Sequence, residues 1–285
     1  CMENDLSADL YDVVVRGGRV ATASDVFVAD IGIRDGKIVQ LGSDLQPGRT
    51  EIDARGRVVT PGGVDAHCHL DQPSPPPVRM ADDFDTGTLS AACGGTTTVI
   101  PFAAQQKGHS LVDAVQDYHR RSEGKAHVDY AFHLIVSDPT PTVLNDELPG
   151  LIKKGYTSFK VYMTYDDLKL DDGQILDVLD IAKRHGAIAM VHAENSDCIE
   201  WLTKRLEAMG RTAPRFHAHS RPMLVEREAT HRAIALSELV DVPILIVHVS
   251  GREAIEQIRW GRAHGLNIFA ETCPQYLFLT AEDLG

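Results

Sequence analysis

His67 and His69 stand one residue apart in Gly63-Val64-Asp65-Ala66-His67-Cys68-His69-Leu70-Asp71-Gln72-Pro73. Alternate side chains of a β-strand share a face, so both imidazoles point one way and Cys68 the other. Neutral imidazole is the commonest protein ligand for a transition metal. A lone His-x-His pair binds nothing in most proteins; three further groups give this one its weight. Lys160 lies inside Thr157-Ser158-Phe159-Lys160-Val161-Tyr162-Met163, a strand-like run in which an unpaired ammonium is costly. Either it reaches the rim or a carboxylate, or CO2 carbamylates the amine into an anionic two-oxygen ligand able to bridge two divalent ions. His192 ends Ala189-Met190-Val191-His192, and His248 ends Ile244-Leu245-Ile246-Val247-His248. Each alone reads as a hydrogen-bonded core histidine. Four histidines and a lysine at the C-terminal ends of strands converge on one mouth if those strands close into a barrel. His127, His133, His217, His219, His231 and His264 fit less well and read mostly as helix, loop or surface residues. Glu194 and Asp65 are candidates for orienting the ligands.

The elements that must position these groups change character near residue 60. Residues 11–59 carry short β-branched runs broken by glycine, with hairpin-turn signals at Arg16-Gly17-Gly18-Arg19 and Arg34-Asp35-Gly36-Lys37. This predicts a small all-β unit over 1–59. Strand candidates then follow at 63–68, 96–102, 128–136, 157–163, 187–192, 244–249 and 266–271, with helix-like stretches between, such as Ser110–Ser122, Asp172–His185 and Glu226–Leu239. Strands alternating with helices imply a parallel sheet, and seven of them predict an α/β fold, a (β/α)8 TIM-like barrel over 60–285 with one strand unaccounted for.

The chain has 285 residues, 43% hydrophobic and 24% charged, which fits a globular protein with a sizeable core. A formal net charge of -13 argues against a nucleic-acid or anionic-membrane surface. No apolar run approaches the roughly 20 residues that span a bilayer. The N-terminus lacks the pattern of a secretion signal, and Cys1 ahead of Met2 reads as a feature of preparation. The five cysteines are scattered and show no CxxC, as in reduced thiols of a cytoplasmic protein.

Five segments together carry a resemblance: Gly63–Asp71, Phe159-Lys160-Val161-Tyr162-Met163-Thr164-Tyr165, Val191-His192-Ala193-Glu194-Asn195, Val247-His248-Val249-Ser250 and Glu271-Thr272-Cys273-Pro274-Gln275-Tyr276-Leu277. They resemble the cyclic amidase branch of the amidohydrolase superfamily, most closely dihydropyrimidinase and hydantoinase. Dihydroorotases usually carry an arginine soon after the second histidine, whereas Leu70-Asp71-Gln72-Pro73 follows here. The resemblance implies two divalent metal ions, usually zinc, with His67 and His69 on one, His192 and His248 on the other, and N6-carboxylated Lys160 bridging. Such a pair lowers the pKa of water and polarises a carbonyl, which suits opening of a 5,6-dihydropyrimidine or 5-substituted hydantoin ring to an N-carbamoyl amino acid. Tyr165 matches the family tyrosine that donates to the developing oxyanion. The resemblance further implies a small cyclic ureide substrate, a homo-oligomer (commonly a tetramer), and residues 11–59 as the first part of a β-sandwich. Pro73-Ser74-Pro75-Pro76-Pro77 is expected to border the substrate entrance.

The family pattern continues with an aspartate at the end of the eighth strand and a substrate-binding serine and asparagine; none has a match up to Gly285. The sequence is therefore expected to be a fragment of a longer enzyme or a truncated product with little turnover. A non-catalytic scaffold on the same fold, like the collapsin response mediator proteins, is the alternative. Those proteins have lost metal ligands, whereas all five are present here, which favours an enzyme lineage.

Overall fold

The computed structural model describes residues 10–74 and 77–284. The chain divides into two compact units, Cys1–Gly63 and Val64–Gly285.

The first unit holds strands β1 (Tyr11–Ala21), β2 (Val26–Arg34), β3 (Lys37–Gly42), β4 (Gly48–Asp53) and β5 (Val58–Val59). The sheet runs β3-β2-β1-β4, with β5 also on β1. β1–β2 and β2–β3 are antiparallel, and β4 and β5 run parallel to β1. Of the two turn signals, only Arg34–Lys37 makes a hairpin, with Asp35 and Gly36 both at positive φ (51° and 71°) as a two-residue turn requires. Gly17-Gly18 instead lies within β1, where the register shifts between Val15 and Gly18 and Gly17 takes φ 62°. That is a β-bulge: paired glycines relieve a strand as readily as they reverse it.

The second unit is built on β6 (Gly63–Cys68), β7 (Thr96–Ala104), β8 (Asp129–Tyr130), β9 (His133–Ile135), β10 (Ser158–Tyr162), β11 (Ile188–His192), β12 (Ile244–Ile246) and β13 (Ile268–Ala270). The strands lie in the order β13-β12-β11-β10-β9-β7-β6, with β8 on β7. The pairings from β7 through β13 are parallel, so the seven predicted strand positions occur in chain order, as in a (β/α) barrel. The third is split: β8 and β9 share the predicted segment. Among the described residues β6 and β13 are the edges of this sheet.

Parallel strands are buried on both faces, and their side chains sort by alternation. Phe159, Val161, Ala189, Val191, Ile244 and Ile246 join the core that packs against the helices. Phe102, Ile135, Tyr162, Met190 and Val247 form a separate cluster on the inner face. Lys160 lies between Phe159 and Val161 and so belongs to the inner face.

The helices end where local chemistry stops them. Helix Asp172–His185 starts at a capping box in which Asp171 and Gln174 satisfy each other's backbone N–H, and Ile175, Val178, Leu179 and Ala182 are buried. It stops at Gly186, whose φ of 67° is left-handed. Helix Leu111–Ser122 is capped by Ser110. Helix Met223–Val240 begins earlier than predicted, directly after Pro222, and stops at Asp241.

Candidate metal centre

Lys160 is the fulcrum of the site. It is only 1% exposed, and its Nζ lies 4.6 Å from the Phe102 ring centroid and 5.0 Å from that of Tyr162. Its Nζ also sits 3.0 Å from His67 Nε2. Burial pushes the amine down to about 7, and the Glu271 carboxylate only partly opposes this. A lysine near pH 7 in this state is substantially the neutral amine, which is the form that reacts with CO2.

Around it stand the four histidines. The His67 ring is 5.5 Å from His69 and 5.6 Å from His248, and His192 is 4.5 Å from His248. His67 lies on β6 and His69 just beyond it, while His192 is the last residue of β11. His248 lies two residues past β12, not on the strand as the sequence predicts, and its φ of 39° is left-handed. That conformation is strained for a residue with a Cβ. Burial, followed by neighbouring His192 and Lys160, pushes His248 down to about 2; burial and Lys160 push His69 down to about 4. Burial also lowers His192, against the pull of Glu194.

Carboxylates and an amide hold three of these rings. His67 Nδ1 donates to Glu271 Oε1. His69 Nδ1 donates to Gln72 Oε1 at 2.6 Å, and His192 Nε2 donates to Glu194 Oε2 at 2.8 Å. Burial tends to raise Glu194, but the His192 bond and Arg221 together hold it below the ordinary carboxylate range. Asp65 accepts the backbone N–H of His67 at 3.1 Å and so shapes the strand end rather than a ring. Cys68 turns away, as alternation predicts: it packs against the helix-side core, and burial raises its thiol to about 12.

The donor set fits divalent ions. It offers four imidazoles, an amine and flanking carboxylates, and burial disfavours the cation-repelling protonated forms of His69, His192, His248 and Lys160. As the side chains stand, no group of three or more His, Cys, Asp or Glu residues among the described residues forms a ligating array.

Tyr165 closes the site from the side. Its ring lies 5.1 Å from His192 and 6.0 Å from Tyr162. A positive φ of 70° starts a turn in which its carbonyl accepts from Leu168 and Lys169 N–H. Burial and Glu194 raise its phenol, keeping it a proton donor at neutral pH. Tyr165 and Arg221 line both a cavity of about 330 Å3 beside His192 and His248 and an adjoining one of about 870 Å3. Gln72, Pro73 and Ser74 line the larger cavity, so the start of the proline run borders it; Pro75 and Pro76 lie outside the described residues.

Four residues were given no role from sequence. Glu271 stood in a motif but without a partner, and its partner is 204 residues away. Gln72 and Arg221 have no pattern of their own. His133, set aside above, is buried: Nε2 donates to the Ala66 carbonyl at 2.9 Å and Nδ1 accepts from the Ser158 hydroxyl at 2.5 Å. It ties β6 and β10 together beneath the site, and only its apolar strand context hinted at this.

The profile of the amidohydrolase family matches residues 58–222. The chain belongs to the amidohydrolase family. It is 47% identical to D-hydantoinase of Ralstonia pickettii over 96% of this chain and 60% of that protein. It is 47% identical to D-hydantoinase of Geobacillus stearothermophilus over 93% of this chain and 57% of that protein. A solved D-hydantoinase superposes with a TM-score of 0.92 at 47% identity, over 96% of this chain and 60% of that one. Dihydropyrimidinase from Brevibacillus agri NCHU1002 gives 0.89 at 45% identity, over 94% and 58% respectively. The chain spans about 60% of the length of these curated relatives. Among the described residues no helix is long and apolar enough to cross a membrane.

Proposed function

We propose that this chain carries the metal-binding part of a cyclic amidohydrolase that opens 5,6-dihydropyrimidine or 5-substituted hydantoin rings to N-carbamoyl amino acids. The observation that carries the reading is the cluster itself: Lys160 Nζ 3.0 Å from His67 Nε2, with four imidazoles at centroid spacings of 4.5–5.6 Å. His67 and His69 would hold one divalent ion and His192 and His248 the other, zinc being the expected metal. The neutral nitrogen of Lys160 would attack the carbon of CO2 and release a proton, and the resulting anionic carbamate would supply both ions with an oxygen ligand. The ions, when bound, lower the pKa of water and polarise the ring carbonyl. Tyr165 donates its phenol proton to the oxygen on which charge develops, and the cavity shared by Tyr165 and Arg221 holds the ring and its substituent. The relatives support the substrate class, and a homo-oligomer, commonly a tetramer in such enzymes, is the expected assembly.

The test is ring opening of dihydrouracil and 5-phenylhydantoin by the purified chain supplied with zinc and bicarbonate. Zinc uptake is expected, with turnover that is slow because the family aspartate has no match up to Gly285, and that a chelator abolishes and zinc restores. Hydrolysis that a chelator leaves unchanged, or a chain that takes up no zinc, overturns the reading.

The proline run carries its own prediction. Replacing its prolines with glycine loosens the wall formed by Pro73 and Ser74. The ratio of kcat/KM between the two substrates is expected to change by about tenfold. An unchanged ratio over several ring sizes removes the run from the site.

A further inference from the structure

We propose that Glu271 and Gln72 are positioning residues of the metal site, each fixing the tautomer of one histidine so that a single ring nitrogen is left to ligate. The inference rests on the metal reading above. A carboxylate only accepts, so the contact between His67 Nδ1 and Glu271 Oε1 puts the proton on Nδ1. The opposite nitrogen is consistent with this: Nε2 lies 3.0 Å from Lys160 Nζ, which can donate to its lone pair. His67 is thereby committed to ligation through Nε2, on the side of Lys160.

His69 repeats the arrangement with a neutral acceptor. Gln72 Oε1 takes the Nδ1 proton at 2.6 Å, and Nε2 is left free. His192 is the mirror case: Glu194 takes the Nε2 proton at 2.8 Å, and Nδ1 is left free. Free imidazole side chains favour the proton on Nε2, which is the wrong tautomer for two of these three ligands. The acceptors at Nδ1 of His67 and His69 reverse that preference before any ion arrives, and they raise the basicity of the ligating nitrogen. Glu271 has a second effect. It follows β13 and His67 lies on β6, so the bond spans the two edges of the sheet. It thus sets where His67 sits as well as how it is protonated.

The experiment combines nitrogen-15 NMR of the histidine rings in the metal-free chain with calorimetric zinc titration of wild type, Glu271→Leu, Glu271→Gln and Gln72→Ala. Glu271→Leu and Gln72→Ala are expected to weaken zinc binding by about 10–100-fold. They should also move the proton of His67 or His69, respectively, from Nδ1 to Nε2. Glu271→Gln keeps an acceptor oxygen and should hold the tautomer and recover part of the affinity, which a merely structural role would not produce. Gln72 lies in a loop, so Gln72→Ala keeps the test alive should the Glu271 variants fail to fold. Wild-type affinity and unmoved tautomers in Glu271→Leu and Gln72→Ala overturn this inference alone. A wild-type chain that takes up no zinc overturns the metal reading, and this inference with it.

Discussion

Lys160→Met is expected to stabilise the metal-free chain at neutral pH, and the advantage should fade as the pH rises. The Lys160 amine titrates near 7 in the folded chain against 10.5 for the unfolded one. Between those values the unfolded chain binds the extra proton, so native stability climbs with pH across that window. At and below pH 7 the penalty is present in full, and above about 10.5 it vanishes. The scale is on the order of a few kcal/mol, reduced by attraction between the ammonium and the Phe102 and Tyr162 rings. Methionine fills the same space without charge. Melting both chains in chelator from pH 7 to 10.5 checks this; parallel curves would show that the amine is not strained by its surroundings. The function bears the opposite sign. Lys160→Ala should lose at least one of the two ions, and short carboxylic acids or a CO2 source should partly restore it. Metal content equal to wild type would exclude the bridge. A residue that weakens the empty fold and completes the loaded one marks a site selected for chemistry.

Tyr165→Phe should lower kcat by about 100–1000-fold with little change in KM. Phenylalanine keeps the ring stacked at the edge of His192, 5.1 Å away, and keeps the turn that follows. What is removed is the hydroxyl, with its bond to Arg221 and its proposed donation to the oxyanion. Steady-state kinetics on one hydantoin, with zinc content measured alongside, separate this from metal loss. A fall confined to KM would move Tyr165 from the transition state to ground-state binding.

The barrel strands were legible in the sequence because each is a short β-branched run followed by a helical period, and the inner-face residues follow from alternation alone. His67, His69 and His192 could be placed at strand ends on that basis. His248 could not, because β12 ends at Ile246 and the chain then turns through a left-handed residue that no propensity anticipates. Gly17-Gly18 misled for the converse reason: the same glycines serve a bulge or a turn, and only pairing with β2 and β4 decides which. The proposed ligand residues stand out by type. Glu271, Gln72 and His133 do not, since each acts through bonds to partners whose proximity is created by the tertiary fold.

The bond between His67 and Glu271 joins residues 204 apart in the chain. Contacts of such separation close late, because the loop entropy must be met before they contribute. During synthesis, His67 and His69 emerge long before Glu271 exists, and nothing yet holds His67 in the protonation pattern that suits an ion. On the proposed metal reading, zinc capture would follow completion of the seventh strand position, and metal uptake during refolding would serve as a clock for the last step of the sheet.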